Sequence, residues 1–348
     1  MSAIYKLRKR LLVTLLCAAL LLCGGCGAET RYSITYTDVF DTATVLTAYT
    51  RSRAEFTALA EAVHEELALC HRLFDIYHEY PDTVNLCTLN RLAGTGPVAV
   101  DTRILDLLQL SISLYDATGG KLNVAMGSVL TLWHDEREAA DLDPASASPP
   151  AYAALQDAAA HMDIHSILLD PAAGTVALLD PAVRLDVGAV GKGWAAGRAC
   201  DAARALGYTD FILSAGGNVC AVGGKPGGEA WSVGLEDPSS PGASLRLLAL
   251  RDRCAVTSGA YQRYFMADGK RYSHLIDPDT LYPASQFEMV TVLAPDSGLA
   301  DALSTALFLL PLEEGRALAA AYPDVEVFWL YPSGESAQTA DFARYIQK

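Results

Sequence analysis

A histidine three residues ahead of Asp-Pro stands late in this 348-residue chain, within Tyr272-Ser-His-Leu-Ile-Asp-Pro-Asp-Thr-Leu-Tyr-Pro283. Ala300-Asp-Ala-Leu-Ser-Thr305 follows shortly after. If residues 299–310 are helical, Asp301, Ser304 and Thr305 share one face, because side chains three and four apart are neighbours on a helix. Oxygen donors grouped this way suit Mg²⁺, which keeps water and substrate phosphate oxygens as its remaining ligands. His274 adds a proton-transfer group, since an unperturbed imidazole titrates near about 6.5. Together they point to chemistry on a phosphate ester. The plain alternative is a turn followed by an ordinary amphipathic helix.

Arg184-Leu-Asp-Val-Gly-Ala-Val-Gly-Lys-Gly-Trp194 joins a strand-like run to a helical one. Its glycines let backbone approach a ligand, the helix start favours an anion, and Lys192 adds a full positive charge. The spacing fits neither GxxxxGK[ST] nor GxGxxG. It reads as a phosphate-handling loop, with a structural strand–helix turn as the alternative. Ser214-Ala-Gly-Gly-Asn218 reads as a tight turn in which Asn218 bonds local backbone. Thr257-Ser-Gly259 and Gly119-Gly-Lys-Leu-Asn123 would each pass as a turn. His64, His71, His78, His134, His161 and His165 have no glycine-rich neighbours and read as surface residues.

Strand-like runs that could position these residues occupy 34–49, 165–169, 175–179, 183–187, 210–214, 231–235, 245–250, 253–257, 272–276, 288–294 and 325–330. Helical patterns occupy 53–73, 101–118, 151–160, 190–207, 299–310 and 312–321. Strands cluster in neighbouring pairs rather than alternating singly with helices, which predicts an α+β fold with mainly antiparallel sheet flanked by helices. Asp135–Pro150, rich in acid, Ala, Ser and Pro, reads as an exposed excursion rather than a linker. There is no internal repeat.

Lys6, Arg8, Lys9 and Arg10 precede an apolar run from Leu11 to Cys23, and Gly24-Gly25-Cys26 follows. The run is short for a bilayer span but fits a secretory signal. Small residues before Cys26 resemble a bacterial lipobox, although Cys23 replaces the usual Leu. Residues 1–25 are thus expected to be a lipoprotein signal peptide, with Cys26 lipidated and residues 26–348 on the extracytoplasmic face of the cell membrane. An uncleaved signal anchor is the alternative. Removing 1–25 takes away four basic and no acidic residues, so the formal net charge moves from −15 to −19. Such an acidic body is a poor nucleic-acid binder and must gather its few cations wherever it holds phosphate. Cys70, Cys87, Cys200, Cys220 and Cys254 follow no metal-knuckle spacing and are expected to be buried free thiols.

Taken in order, these segments resemble the ApbE family of FAD:protein FMN transferases. The resemblance is carried by Asp41-Thr42, residues 120–133, Asp186–Gly193, Gly216–Asn218, Thr257–Tyr261, Ser273–Pro283 and Ala300–Thr305, and spans about residues 32–330. It implies an ApbE-like fold and transfer of FMN from FAD to a threonine hydroxyl of an acceptor protein, with Mg²⁺ required and AMP released. It also implies that Phe40, Tyr77, Lys121, Leu122, Asn123, Asp186, Lys192 and Ile276 contact FAD. The metal would be held by the Ala189 carbonyl, Asp301 and Thr305, and His274 would be the base or a pyrophosphate contact. The implied acceptor carries a Ser/Thr-rich flavinylation motif and belongs to a membrane redox complex. Three positions depart from the family pattern. Leu281 and Ala189 stand where Gly is usual, so the turn after Pro278 could take another conformation, and Asn123 replaces Asp. They leave a non-catalytic FAD-binding lipoprotein as a second reading. A solute-binding lipoprotein is a third, supported only by anchor, size and fold class.

Overall fold

The computed structural model describes residues 29–240 and 242–347. The expected signal segment 1–25 and Cys26 lie outside the described residues. In chain order the elements begin with β1 (Thr30–Tyr36), β2 (Thr44–Thr50), α1 (Arg53–Phe74), α2 (Leu86–Arg91), β3 (Val98–Ala99), α3 (Thr102–Ala117), α4 (Gly127–Leu142) and α5 (Tyr152–Ala159). They continue with β4 (Ile167–Asp170), β5 (Thr175–Leu178), α6 (Gly191–Ala205), β6 (Phe211–Ala215), β7 (Asn218–Val222), β8 (Trp231–Glu236), β9 (Ser244–Leu250) and β10 (Arg253–Gly259). Last come β11 (Tyr264–Ala267), β12 (Lys270–Ser273), β13 (Met289–Ala294), α7 (Ser297–Leu309), α8 (Leu312–Ala320), β14 (Glu326–Leu330) and β15 (Ser336–Gln338).

Eight strands form one sheet in the order β1-β2-β6-β7-β10-β13-β14-β15, and each neighbouring pair in it is antiparallel. The expected α+β architecture is therefore the observed one. Alternation decides which side chains face which layer. Phe211, Leu213, Ala215 and Cys220 join Val63, Leu67, Ala196 and Ala199 of α1 and α6 in one apolar cluster. Ala221 and Ala255 point the other way, against Trp231, Leu248 and Leu250 of the β8–β9 hairpin. β13 is buried along its whole length, as its unbroken MVTVLA run requires of a strand covered on both faces. α6 and α7 lie against each other on the helical side of the sheet, and that contact positions the site.

Four sequence expectations change. The run 34–49 is two strands, β1 and β2, separated by a turn in which Phe40 and Asp41 adopt φ of 55° and 49°. Residues 183–187 make no strand; Arg184 forms a single parallel bridge to Met126. The run 272–276 closes as a strand at Ser273 and then bends. Asp135–Pro150 is not wholly an excursion, because α4 continues to Leu142 with Val129, Trp133 and Ala140 buried on one side. Acid and Ala composition suggested a solvated loop there, but the four- and seven-residue apolar spacing won.

Candidate active site

The first turn of α6, which starts at Gly191 after the N-cap Val190, carries amides that have no carbonyl partner within the helix. Gly193 N, at the third helical position, finds its acceptor across the fold in Asp301 Oδ2 at 2.7 Å. No backbone donor among the described residues bonds the carbonyl of Ala189, four residues before Gly193. Gly193 is required by this approach: a Cβ there would lie 2.4 Å from both Asp301 Cβ and the Ser297 carbonyl oxygen.

α7 begins cleanly because the Asp296 side chain caps it, accepting from Leu299 N at 2.6 Å. One turn later Asp301 is 6% exposed and Ser304 is fully buried. Ser304 Oγ lies 2.7 Å from Ser258 Oγ of β10, and Thr305 Oγ1 lies 3.3 Å from the same atom. The expected helix face is thus formed, and Ser258 completes a ring of hydroxyls around it. Burial raises the Asp301 pKa, opposed by the Lys192 charge, the Gly193 amide and the Asn218 side chain. Asp301 makes no ion pair among the described residues. The buried amide nitrogen of Asn218, which faces this carboxylate, makes no hydrogen bond of ordinary geometry. Asn218 is therefore part of the site rather than a turn residue bonding its own backbone. A buried carboxylate without an ion-pair partner, with the hydroxyl of Thr305 on the same helix face and the unbonded Ala189 carbonyl ahead of Gly193, offers oxygen donors of the kind that fit Mg²⁺. Ala189 has a negative φ, so a residue with Cβ is tolerated where glycine is usual.

His274 leaves the end of β12 with both its backbone amide and Nδ1 directed at the Arg263 carbonyl, each at 3.1 Å. A carbonyl only accepts, so Nδ1 carries the proton and Nε2 is left bare. Burial pushes the imidazole pKa down to about 4, and the charges of Arg263, Arg137 and Lys192 push the same way against the Arg263 carbonyl. The expectation of an unperturbed imidazole near about 6.5 is corrected here by its surroundings. The acidic chain does gather cations at one place. Lys192 alone among them is marked by a sequence motif; Arg263 follows Thr257–Tyr261, and Arg137 lies on the part of α4 whose composition resembles a loop.

Asp186 faces the same region. Its Oδ1 accepts from Gly188 N at 2.8 Å, and burial raises its pKa against the opposing charges of His134 and Arg137. Tyr77 is 59% exposed, with its ring 5.2 Å from that of His134. Asp75 holds the Tyr77 loop by accepting from the amides of Tyr77 and His78 and from the Tyr80 hydroxyl. Phe40 N donates to His71 Nδ1 at 3.2 Å, fixing the left-handed turn between β1 and β2. His71 and His134 are therefore half-buried and positional rather than plain surface residues. Only contacts across the fold reveal that.

The remaining residues implied by the resemblance are already occupied within the protein. Lys121 Nζ bonds Asp277 at 2.6 Å and Asp279 at 2.8 Å, so its charge stabilises the Asp-Pro-Asp turn. Asn123 Nδ2 donates to the Met162 carbonyl at 2.9 Å while its Oδ1 accepts from Ala125 N at 2.8 Å. An aspartate could make only the second bond. Leu122 and Ile276 are buried as whole residues, and the Leu122 amide is already bonded to Thr118 Oγ1. Leu281 adopts φ 62° and is buried beside Trp133, whose Nε1 donates to the Leu281 carbonyl at 3.0 Å. The turn thus keeps the left-handed backbone that glycine favours, with leucine packing in exchange for strain.

With this geometry established, a family model described as the ApbE family matches residues 29–329. The FAD:protein FMN transferase of Treponema pallidum is 32% identical over 339 residues, covering 92% of this chain and 90% of that protein. The protein of the same description from Klebsiella pneumoniae is 31% identical over 282 residues, covering 77% and 83% respectively. The crystal structure of the ApbE protein of Thermotoga maritima superposes with a TM-score of 0.79 at 25% identity, over 92% of this chain and 100% of that one. The flavin transferase ApbE of Vibrio cholerae superposes at 0.76 with 22% identity, over 91% and 99%, a likeness of fold.

Proposed function

We propose that this chain, which belongs to the ApbE family, is the transferase that moves the FMN half of FAD onto a threonine hydroxyl of an acceptor protein, releasing AMP. The single observation that carries this reading is that Lys192 lies within electrostatic reach of both the buried Asp301 carboxylate and the His274 imidazole, whose Nε2 is bare and which Arg137 and Arg263 also face. Phosphoryl transfer needs these elements: a proton acceptor, positive charge where negative charge develops, and a metal position.

Ala189 O, Asp301 and Thr305 would hold Mg²⁺, with Ser304 and Ser258 fixing the position of Thr305. Bound there, the ion would neutralise charge on the pyrophosphate oxygens. Lys192, Arg137 and Arg263 orient the pyrophosphate and stabilise the oxygen that leaves with AMP. The acceptor hydroxyl oxygen bonds to the FMN phosphorus as the bond to the AMP oxygen breaks. His274 Nε2 takes the hydroxyl proton, its orientation set by the Nδ1–H bond to Arg263. Phe40 and Tyr77 would contact FAD.

The non-catalytic reading rested on three departures, each of which the fold absorbs without disturbing Asp301, Lys192 or His274. For location, we propose acylation at Cys26 and an extracytoplasmic position, with an acceptor in a membrane redox complex bearing a Ser/Thr-rich motif. The test is to mix the protein with FAD, Mg²⁺ and a candidate acceptor and examine the denatured acceptor by in-gel flavin fluorescence. Fluorescence that requires Mg²⁺ and an intact acceptor threonine is expected. Tight FAD binding with neither covalent flavin nor AMP would overturn the reading.

A further inference from the structure

Three thiols lie together behind the Asp301 site. Cys200 of α6, Cys220 of β7 and Cys254 of β10 line one cavity of about 180 Å³, with Ser297 of α7 beside them. All are buried and reduced. Cys220 and Cys254 are direct cross-strand partners, so both side chains leave the sheet on the same face. Directly opposed residues of antiparallel strands have Cα atoms about 4.5–5.5 Å apart. Disulfides span about 4.4–6.8 Å between Cα atoms. Among the described residues no group of three or more His, Cys, Asp or Glu is arranged to hold a metal ion, which argues against a thiolate metal site.

We propose that Cys220 and Cys254 form a modification site, becoming a cross-strand disulfide by exchange with a small disulfide-bearing oxidant that enters the cavity. The Cys220 thiolate attacks one sulfur of the oxidant, forming a mixed disulfide and expelling the first thiolate. Cys254, giving its proton to the first departing thiolate, then attacks Cys220 Sγ and expels the second. Two protein thiols are oxidised and one disulfide is reduced to two thiols, which carry away the two protons. Cys220 is suited to the first attack. The neighbouring Cys200 and Cys254 thiols hold the Cys220 thiol well below the usual range, while the same proximity to Cys220 and burial hold Cys200 and Cys254 above it.

The link would tie together the two strands that carry Asn218 and Ser258, the sheet residues that contact the Asp301 and Thr305 side chains. Ser297, which lines the same cavity, lies one helical turn ahead of Asp301. Oxidation therefore acts on the support of the site, although forming the link does not depend on the transferase reading.

The full-length protein is incubated with bis(2-hydroxyethyl) disulfide, a probe small enough for the cavity, then alkylated, digested without reduction and mapped by mass spectrometry. A peptide linking Cys220 to Cys254, lost on reduction, is expected, together with a higher midpoint of thermal unfolding in the oxidised form. Cys200→Ser should retain the link, and Cys254→Ser should trap mercaptoethanol on Cys220. If Cys254→Ser does not fold, the wild-type peptide map decides. Complete alkylation of all three thiols after incubation, a link confined to Cys70 or Cys87, or a stoichiometric zinc or copper ion protecting the three would each overturn the proposal.

Discussion

Gly193 N donates to Asp301 Oδ2 at 2.7 Å, and a Cβ on Gly193 would fall 2.4 Å from Asp301 Cβ. The two helices are therefore as close as backbone permits at the point where the metal position is proposed. Gly193→Ala must separate α6 from α7 or displace Asp301. The expected cost is about 1–3 kcal/mol of stability, with weakened Mg²⁺ affinity. Chemical denaturation and calorimetric titration with Mg²⁺ check both. A variant of wild-type stability that binds Mg²⁺ normally would show the contact to be unimportant.

His274 should titrate near a pKa of about 4 in the protein alone, because burial and three cations oppose its protonation. The sign follows from its role: the imidazolium cannot accept a proton, so transfer falls as pH drops through the His274 pKa and is level above it. FAD brings negative charge among the three cations and should raise that pKa, whereas Arg137→Ala should raise it without FAD. NMR titration of the imidazole measures each case. A midpoint of 6.5 or higher in the unliganded protein would contradict the environment described.

Asn123→Asp should destabilise the protein even though aspartate is usual in the resembling family. The Met162 carbonyl loses its donor and a carboxylate is placed where the side chain is 8% exposed. A loss of about 1–3 kcal/mol is expected from the unpaired buried group. Urea unfolding at neutral pH measures it, and recovery at acidic pH would identify the carboxylate charge as the cause.

Leu281→Gly sets two effects against each other. Glycine relieves a left-handed conformation costing about 1–2 kcal/mol, but removal of a buried leucine typically costs about 2–5 kcal/mol. Net destabilisation is expected from thermal unfolding. Stabilisation would mean that Leu281 packs poorly against Trp133.

The α+β class and the pairing of strands were legible because periodicity reports burial locally. Asp301, Ser304, Thr305 and Lys192 were legible because helix spacing and a glycine-rich helix start fix where side chains point. Arg137 was hidden by the composition of a helix read as loop. Asn218 was hidden because its partner, Asp301, lies more than eighty residues away. The depressed pKa of His274 depends first on burial and then on charges that include arginines from two other segments, and no local pattern announces that. Conversely, Leu281 was visible as an anomaly, but only its φ of 62° shows that the turn survived it.

The central claim is that His274 and Asp301 perform transfer at one site, and single-turnover flavinylation at saturating FAD and Mg²⁺ tests it most directly. The account predicts that His274→Ala keeps FAD affinity but loses about 10²–10⁴-fold in rate, the usual scale of general-base catalysis. Asp301→Ala should lose Mg²⁺-dependent transfer far more completely than Ser304→Ala. Full recovery of the His274→Ala rate at saturating FAD, or wild-type transfer by Asp301→Ala, would contradict it.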